Sequence, residues 1–273
     1  MLWRKELEMD MPEEVSSAGA KIKKTIVEVY PNVYQILGQN RSAHAYLIKG
    51  QHKNVLIDSC LPDGVESVRA CLAEVGLTQD DLHMILLTHE HIDHAGGVPE
   101  LGPKTIVAAH RLAANKLTLQ DEFVLMNKAF GSASDLFHID MFLSEGASIN
   151  LGNYELQVIH TPGHCSGAVC FYEPVHRLLF SGDVVMANGI VGGVLQSGNI
   201  SDYIYSLRRL ATLRLDHLFP GHGKVSNQAQ SDVERGIERL ETLLDESKTL
   251  FHVVQNSEHG FDYIMRSLRD LNR

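Results

Sequence analysis

Long apolar runs are missing from this chain. None reaches the roughly 18 residues that a membrane-crossing helix needs, so no membrane partner is expected. The opening residues, MLWRKELEMDMPEE, are charged and lack the apolar stretch of a signal peptide; a cytoplasmic location is the expectation. Cysteine is scarce as well. Cys60, Cys71, Cys165 and Cys170 include no CxxC pair, and four in 273 residues do not suggest a disulfide framework. Positive charge is in deficit: 24 Lys and Arg stand against 34 Asp and Glu, a net charge of -10. Only Lys21 to Lys24 is locally basic. Binding through phosphates needs clustered Lys and Arg, so no nucleic-acid partner is expected. Internal repeats and low-complexity segments are also absent.

What the chain has in quantity is histidine, 15 in all, several in tight groups. Its length suits one large α/β domain or two small ones. Residues 1–20 show no clear apolar period and read as an N-terminal arm or a contact with another subunit, which would make a homodimer. Strand-like segments follow at 25–30, 32–38, 43–49 and 54–59, rich in β-branched and aromatic residues and broken by Pro, Gly and Asn. Residues 63–76 carry apolar residues at helical spacing and stop at Gly76. MILLT (84–88) reads as a buried strand, 94–101 as a helix and TIVAA (105–109) as a further strand, the order of a layered α/β unit. Residues 111–148 are mostly helical in composition and read as an insertion, with Phe123, Met126, Phe130, Phe137, Met141 and Phe142 as a lid over an apolar substrate or, the favoured reading, as its own core. Strands return at 154–161, 168–174 and 177–183. A helix at about 202–213 and a strand at 216–220 come next, then a helical tail over 226–273 with a break near Ser257–Gly260. The expected organisation is thus an arm, a domain over 21–225, and C-terminal helices packed on that same domain.

The chemistry concentrates in Thr88-His89-Glu90-His91-Ile92-Asp93-His94, between a predicted strand and a predicted helix. In extended chain, residues two apart project to one side, so His89 and His91 can converge on one cation. Asp93 and His94, where the chain turns, can point at a neighbouring position. Imidazole nitrogen and carboxylate oxygen suit Zn²⁺, Fe and Mn²⁺, and so many ligand-type groups close together would repel one another without a cation. The segment is not HExxH, since Asp93 stands four residues after His89. Three later turns each end a strand beside glycine: Thr161-Pro162-Gly163-His164, Ser181-Gly182-Asp183 and Pro220-Gly221-His222-Gly223. Each is weak alone; in this order they reinforce one another.

The succession HxHxDH, TPGH, SGD, PGHG resembles the metallo-β-lactamase superfamily over about residues 25–225. The resemblance implies an α/β fold, a four-layer αββα sandwich with metals at the edge between two β-sheets. It implies that His89, His91 and His164 hold one metal, that Asp93, His94 and His222 hold a second, and that Asp183 bridges them. Asp58 matches an acidic residue that braces the metal loop; which histidine it braces is open at this stage. The implied cofactors are two divalent metal ions, zinc first, with iron or manganese as alternatives. Two such cations about 3.5–4 Å apart can share a water and lower its pKa toward neutrality. The implied activity is hydrolysis of an ester, thioester or lactone bond in a small-molecule substrate, with Asp93 and His94 as catalytic residues and Asp93 orienting the attacking oxygen. Cys165 is expected to be merely buried.

Within the superfamily the chain resembles glyoxalase-II-like and lactonase-like hydrolases, with departures. MANGIVGG replaces the GCGR-like stretch after the bridging Asp of the former, the tail lacks a basic clamp, and Met186 stands where the latter place a Tyr. Persulfide or sulfur dioxygenase-like relatives keep the motif with one iron, and β-lactam or phosphodiester cleavage uses the same ligands; these are the alternatives. Flavodiiron relatives have Glu where His91 stands, and the acidic balance argues against an RNase Z-type nuclease. Substrate choice is expected from 186–199 and 111–148. Tyr203 and Tyr205 are candidates for ligand contact or a helix packing face, and His110 is expected to be exposed.

Overall fold

Neighbouring residues of the central strands bury their side chains in different cores, and that alternation defines the architecture. The computed structural model describes residues 26–131 and 137–255. The first sheet runs β1 (Ile26–Tyr30), β2 (Val33–Ile36), β3 (Ala45–Lys49), β4 (Asn54–Ile57), β5 (Leu82–Leu86), β6 (Ile106–His110) and β7 (Met141–Leu143), side by side in that order. The strands up to β4 form the expected antiparallel meander; from β4 to β7 the pairing is parallel. Helices α1 (Val65–Glu74), α2 (Ile92–Ala95), α3 (Val98–Leu101) and α4 (Arg111–Thr118) make the parallel crossovers, and a short α5 (Asn127–Phe130) follows. Leu47, Leu56 and Ile85 face the helices, packing with Val68 and Leu72 of α1 and Leu117 of α4. Ile48, Ile57 and Leu86 face the other way. The period of two thus fills both faces with apolar residues, as a sheet covered on both sides requires.

The second sheet has the order β12-β11-β10-β9-β8, from β8 (Ser148–Asn150), β9 (Glu155–His160), β10 (Val169–Glu173), β11 (Leu178–Gly182) and β12 (His217–Pro220). Val158, Val169, Phe171, Leu178, Phe180 and Phe219 meet Ile48, Ile57 and Leu86 in the core between the sheets. Phe180 and Phe219 stack there at 4.8 Å. Each fully buried side chain of this kind stabilises the fold by about 1.5–3 kcal/mol. The outward residues of the second sheet are covered by α6 (Ile200–Leu210), which buries Tyr203, Leu207 and Leu210, and by α7 (Ala229–Gln255), which buries Val233 and Leu240. Layer by layer this is helix, sheet, sheet, helix. Thr25–Glu241 forms one compact unit. The end of α7, residues 242–255, lies outside that unit. The arm expected at 1–20 and the break expected near 257–260 lie outside the described residues. Among the described residues no helix is long and apolar enough to cross a membrane.

The stretch 111–148 differs from expectation. Among its described residues only α4 and α5 are helical; Met141–Leu143 joins the first sheet as β7 and Ser148–Asn150 opens the second. Strands of three residues are too short to show a period. Nor is the stretch a core of its own. Phe123, Met141 and Phe142 are exposed, while Leu125 and Phe137 are buried against the first sheet's helices. The helix expected over 94–101 is split at Gly96-Gly97 into α2 and α3. There the chain runs so close to the strand-end loop after β4 that a Cβ on Gly97 would lie 2.3 Å from the Ser59 carbonyl oxygen.

Candidate metal centre

The expected ligands converge where strands end. His89 to His94 leave the C-terminal end of β5, Asp58 that of the adjacent parallel β4, and His164, Asp183 and His222 follow β9, β11 and β12. Because β9 and β11 both run antiparallel to β10, and β12 parallel to β11, their C-terminal ends share one edge of the second sheet. Hydrogen bonds join the two sheets at this edge. Val169 donates to the Thr88 carbonyl at 2.8 Å, His44 N–H to Gly221 O at 2.7 Å, and the Tyr46 hydroxyl to Pro220 O at 2.7 Å.

His89, His91 and His164 form a first group. His89 Nε2 lies 2.9 Å and His164 Nε2 3.1 Å from His91 Nδ1. The other ring nitrogens fix the tautomers. Thr88 Oγ1 donates to Asp58 Oδ2 at 2.8 Å, so it accepts from His89 Nδ1–H at 3.0 Å. His164 Nδ1–H donates to Gly193 O at 2.9 Å. Both rings therefore present bare Nε2 lone pairs to the space beside His91. Nitrogens 2.0–2.1 Å from one tetrahedral Zn²⁺ would sit about 3.3 Å apart, close to these spacings. Burial, with His94, His91 and His164 around it, pushes His89 well below the usual imidazole range. Burial and His164 push His91 down to about 3. His89 and His91 are thus held as neutral imidazoles.

Asp93, His94 and His222 form a second group. His222 Nε2 is 3.1 Å from Asp93 Oδ2, and His94 Nε2 is 3.8 Å from that oxygen. Asp183 stands between the groups. Its Oδ1 is 3.3 Å from His94 Nε2; its Oδ2 is 3.7 Å from His222 Nε2 and 3.8 Å from His164 Nε2. Burial disfavours a charged His94, but Asp183, Asp93 and Asp58 outweigh that and raise it well above the ordinary value. Burial likewise opposes the Asp183 carboxylate, yet His222 and His94 hold it well below the usual range. His94 Nε2 and Asp183 Oδ1 are nevertheless buried without a well-formed hydrogen bond. Buried polar groups normally find partners, so this pair of orphaned atoms, with an all-imidazole and carboxylate donor set, fits divalent cations. Three overlapping groups can each grip an ion: His89-His91-His164, His89-His94-Asp183 and Asp93-His94-His222.

The surroundings explain how the ligands are aimed. Asp58 Oδ2 accepts from His94 Nδ1 at 2.8 Å, turning Nε2 toward the centre; Asp58 Oδ1 accepts the Thr88 N–H at 2.8 Å. The histidine that Asp58 braces is thus His94, and its left-handed backbone (φ 58°) aims the carboxylate there. At Gly221 a Cβ would fall 2.5 Å from His94 Cε1 and 2.6 Å from Asp183 Oδ1, so only glycine fits. Exposure is uneven: the His222 side chain is 23% exposed, Asp183 11% and His164 1%. The centre is therefore most open to solvent on the His222 and Asp183 side.

The sequence reading gave His44 no role and left those of Tyr203 and Tyr205 open. Tyr203 is fully buried, and its hydroxyl serves the backbone, near Asp183 O (2.9 Å) and Val184 O (2.7 Å) while accepting from Gly192 N–H (3.2 Å). It holds the backbone at Asp183 and Val184, and Tyr205 is exposed. His44 accepts from Gly38 N–H and donates from Nε2 to Gly223 O at 2.9 Å, steadying the turn that carries His222. His110 is half-buried rather than exposed, stacked on His160 at 4.0 Å. Cys165 is buried as expected, with its thiol on Glu90 Oε2 at 3.3 Å.

Two stacked sheets between helices, with a two-part imidazole and carboxylate centre at one edge, define the class: a hydrolase fold built to carry metal ions. The model of the metallo-beta-lactamase superfamily matches residues 38–222, and the chain belongs to that superfamily. It is 30% identical over 208 residues to human acyl-coenzyme A thioesterase MBLAC2, covering 66% of this chain and 72% of that protein. It is 26% identical over 236 residues to a Caenorhabditis elegans beta-lactamase-like protein 2 homolog, covering 83% and 72%. Among solved structures, the subclass B3 metallo-beta-lactamase BJP-1 of Bradyrhizobium japonicum superposes with a TM-score of 0.68 at 20% identity, covering 83% of this chain and 96% of that one. That likeness is one of fold.

Proposed function

We propose that this chain is a binuclear metal-dependent hydrolase that cleaves an acyl thioester. The observation that carries the reading is the meeting of two ligand groups on either side of Asp183. His89, His91 and His164 would hold one cation, Asp93, His94 and His222 the other, with Asp183 shared; zinc suits imidazole-rich sites. When bound, such cations supply an acidified water and a Lewis acid for the developing oxyanion. With the cations bound, Asp93 would accept a hydrogen bond from the attacking water and orient it toward the carbonyl. Asp58 keeps His94 in the tautomer that faces the centre.

The thioester is favoured by the leaving group. A thiol of pKa about 8.5 departs as thiolate without a proton donor, whereas an alkoxide needs one. Tyr203 is committed to backbone carbonyls and Met186 occupies a position that could have carried a donor. Ile190 and Val194 expose apolar surface on the loop whose Gly193 holds His164, which suits an acyl chain. The human relative named as an acyl-coenzyme A thioesterase supports the same reading.

The test is elemental analysis of purified protein followed by thiol-release assays on acyl-CoA thioesters, with lactones, β-lactams and phosphodiesters alongside. Two equivalents of metal and thioester turnover are expected. One iron with oxygen uptake would instead indicate a persulfide dioxygenase. Asp183→Ala should lower turnover at least about a hundredfold, a loss of ~2.7 kcal/mol, while the circular dichroism spectrum is unchanged; an undiminished rate would refute the mechanism.

A further inference from the structure

Between the ligands His89 and His91 lies Glu90, a carboxylate with no solvent exposure. It belongs to neither ligand group. In the extended stretch that aims His89 and His91 inward, Glu90 must project to the opposite side. There it meets Lys116 of α4, whose ammonium lies 2.5 Å from Glu90 Oε1. The same ammonium donates to Ser166 Oγ at 2.6 Å and Ser197 Oγ at 3.2 Å, so all three of its protons have acceptors. Ser197 also donates to Glu90 Oε1 at 3.1 Å and accepts from Ser166 N–H at 3.1 Å. Cys165 donates to Glu90 Oε2 at 3.3 Å. Gly167 completes the packing: a Cβ there would sit 2.5 Å from Glu90 Oε2.

Stability alone is a poor reason for such a cluster, because well-packed apolar residues often replace a buried ion pair without loss. Its connections are more telling. Ser166 is two residues from His164, and Ser197 closes the loop whose Gly193 O accepts from His164 Nδ1 and whose Leu195 N–H bonds His164 O. One ammonium therefore ties the backbone behind His89 and His91 to both segments that fix His164. The second group is held by other means: Asp58 on His94, and His44 on the turn of His222. We propose that Lys116 is a positioning residue that acts through Glu90, Ser166 and Ser197 to set the His89–His91–His164 corner and leaves the Asp93–His94–His222 corner to its own supports. This rests on the binuclear reading above.

The test is zinc competition titration of the full chain against a chromophoric chelator, with cobalt(II) absorption spectra, on the wild type, Lys116→Met and Glu90→Gln/Lys116→Met. The double variant removes the stranded carboxylate should the single one fail to fold. Either variant should bind one of two zinc ions at least tenfold more weakly and the other within threefold. Its cobalt spectrum should resemble that of His91→Ala rather than His222→Ala. Wild-type affinity at both sites would overturn the proposal. So would parallel weakening of both sites together with a lowered thermal midpoint of the metal-free protein, since that marks a merely structural role. A wild type that binds no divalent cation would sink the binuclear reading itself; a wild type that binds two, with unchanged variants, sinks only the role of Lys116.

Discussion

At the scale of single residues, orientation matters as much as ligand identity. The HxHxDH spacing singled out His89, His91, Asp93 and His94, and the order of the later glycine turns added His164, Asp183 and His222; among the described residues these are the side chains that come together. Spacing could not show the tautomers, which depend on partners far along the chain: Asp58 on His94, 36 residues apart, and Gly193 on His164, 29 apart. Asp58→Asn keeps the shape but puts an amide, half of it a donor, against His94 Nδ1. Cation affinity should fall about 10–100-fold, measured by chelator competition, with little change in the apo far-ultraviolet spectrum. Glu90 was legible as a letter within the motif yet not as a partner of Lys116, since 26 residues and a whole β-α unit separate them.

At the scale of elements, the segments read well were those whose period runs long enough to be seen. β3, β4 and β5 alternate between two cores, and α1 carries Val65, Val68, Cys71 and Leu72 on one face. Those read poorly were β7 and β8, of three residues each, and the helix divided at Gly96-Gly97 by a close backbone approach rather than by any loss of apolar pattern. The start of α4 carries a prediction. His110 Nδ1 accepts the Leu112 N–H as the N-cap of that helix, and its ring stacks on His160. Burial and the neighbouring His160 lower His110 from 6.5 to about 4. A depressed imidazole binds its proton later when folded, so its contribution to stability is complete above about 6.5. That contribution is lost as pH falls toward 4. Asn is a good N-cap that does not titrate. In His110→Asn the thermal midpoint should fall less between pH 7 and pH 4.5 than in the wild type; equal slopes would show that His110 is not a source of the acid sensitivity.

At the scale of the whole molecule, the centre lies where hydrogen bonds join the edges of the two sheets. Ligands come from both, so cations there would cross-link the halves of the sandwich. A ligand that binds only the folded state stabilises it by about 2.7 kcal/mol at a hundred times its Kd. Exhaustive chelation should therefore lower the thermal midpoint by roughly 5–10 °C, and zinc should restore it in differential scanning calorimetry. An unchanged midpoint would mean that the sheets hold together without ions. The uneven exposure of the ligands, with His222 open and His164 sealed, has a kinetic corollary. Exchange with solvent has a door on one side only: the ion beside His222 would come and go first, and its neighbour behind Asp183 would leave only by that route or by a breathing of the fold.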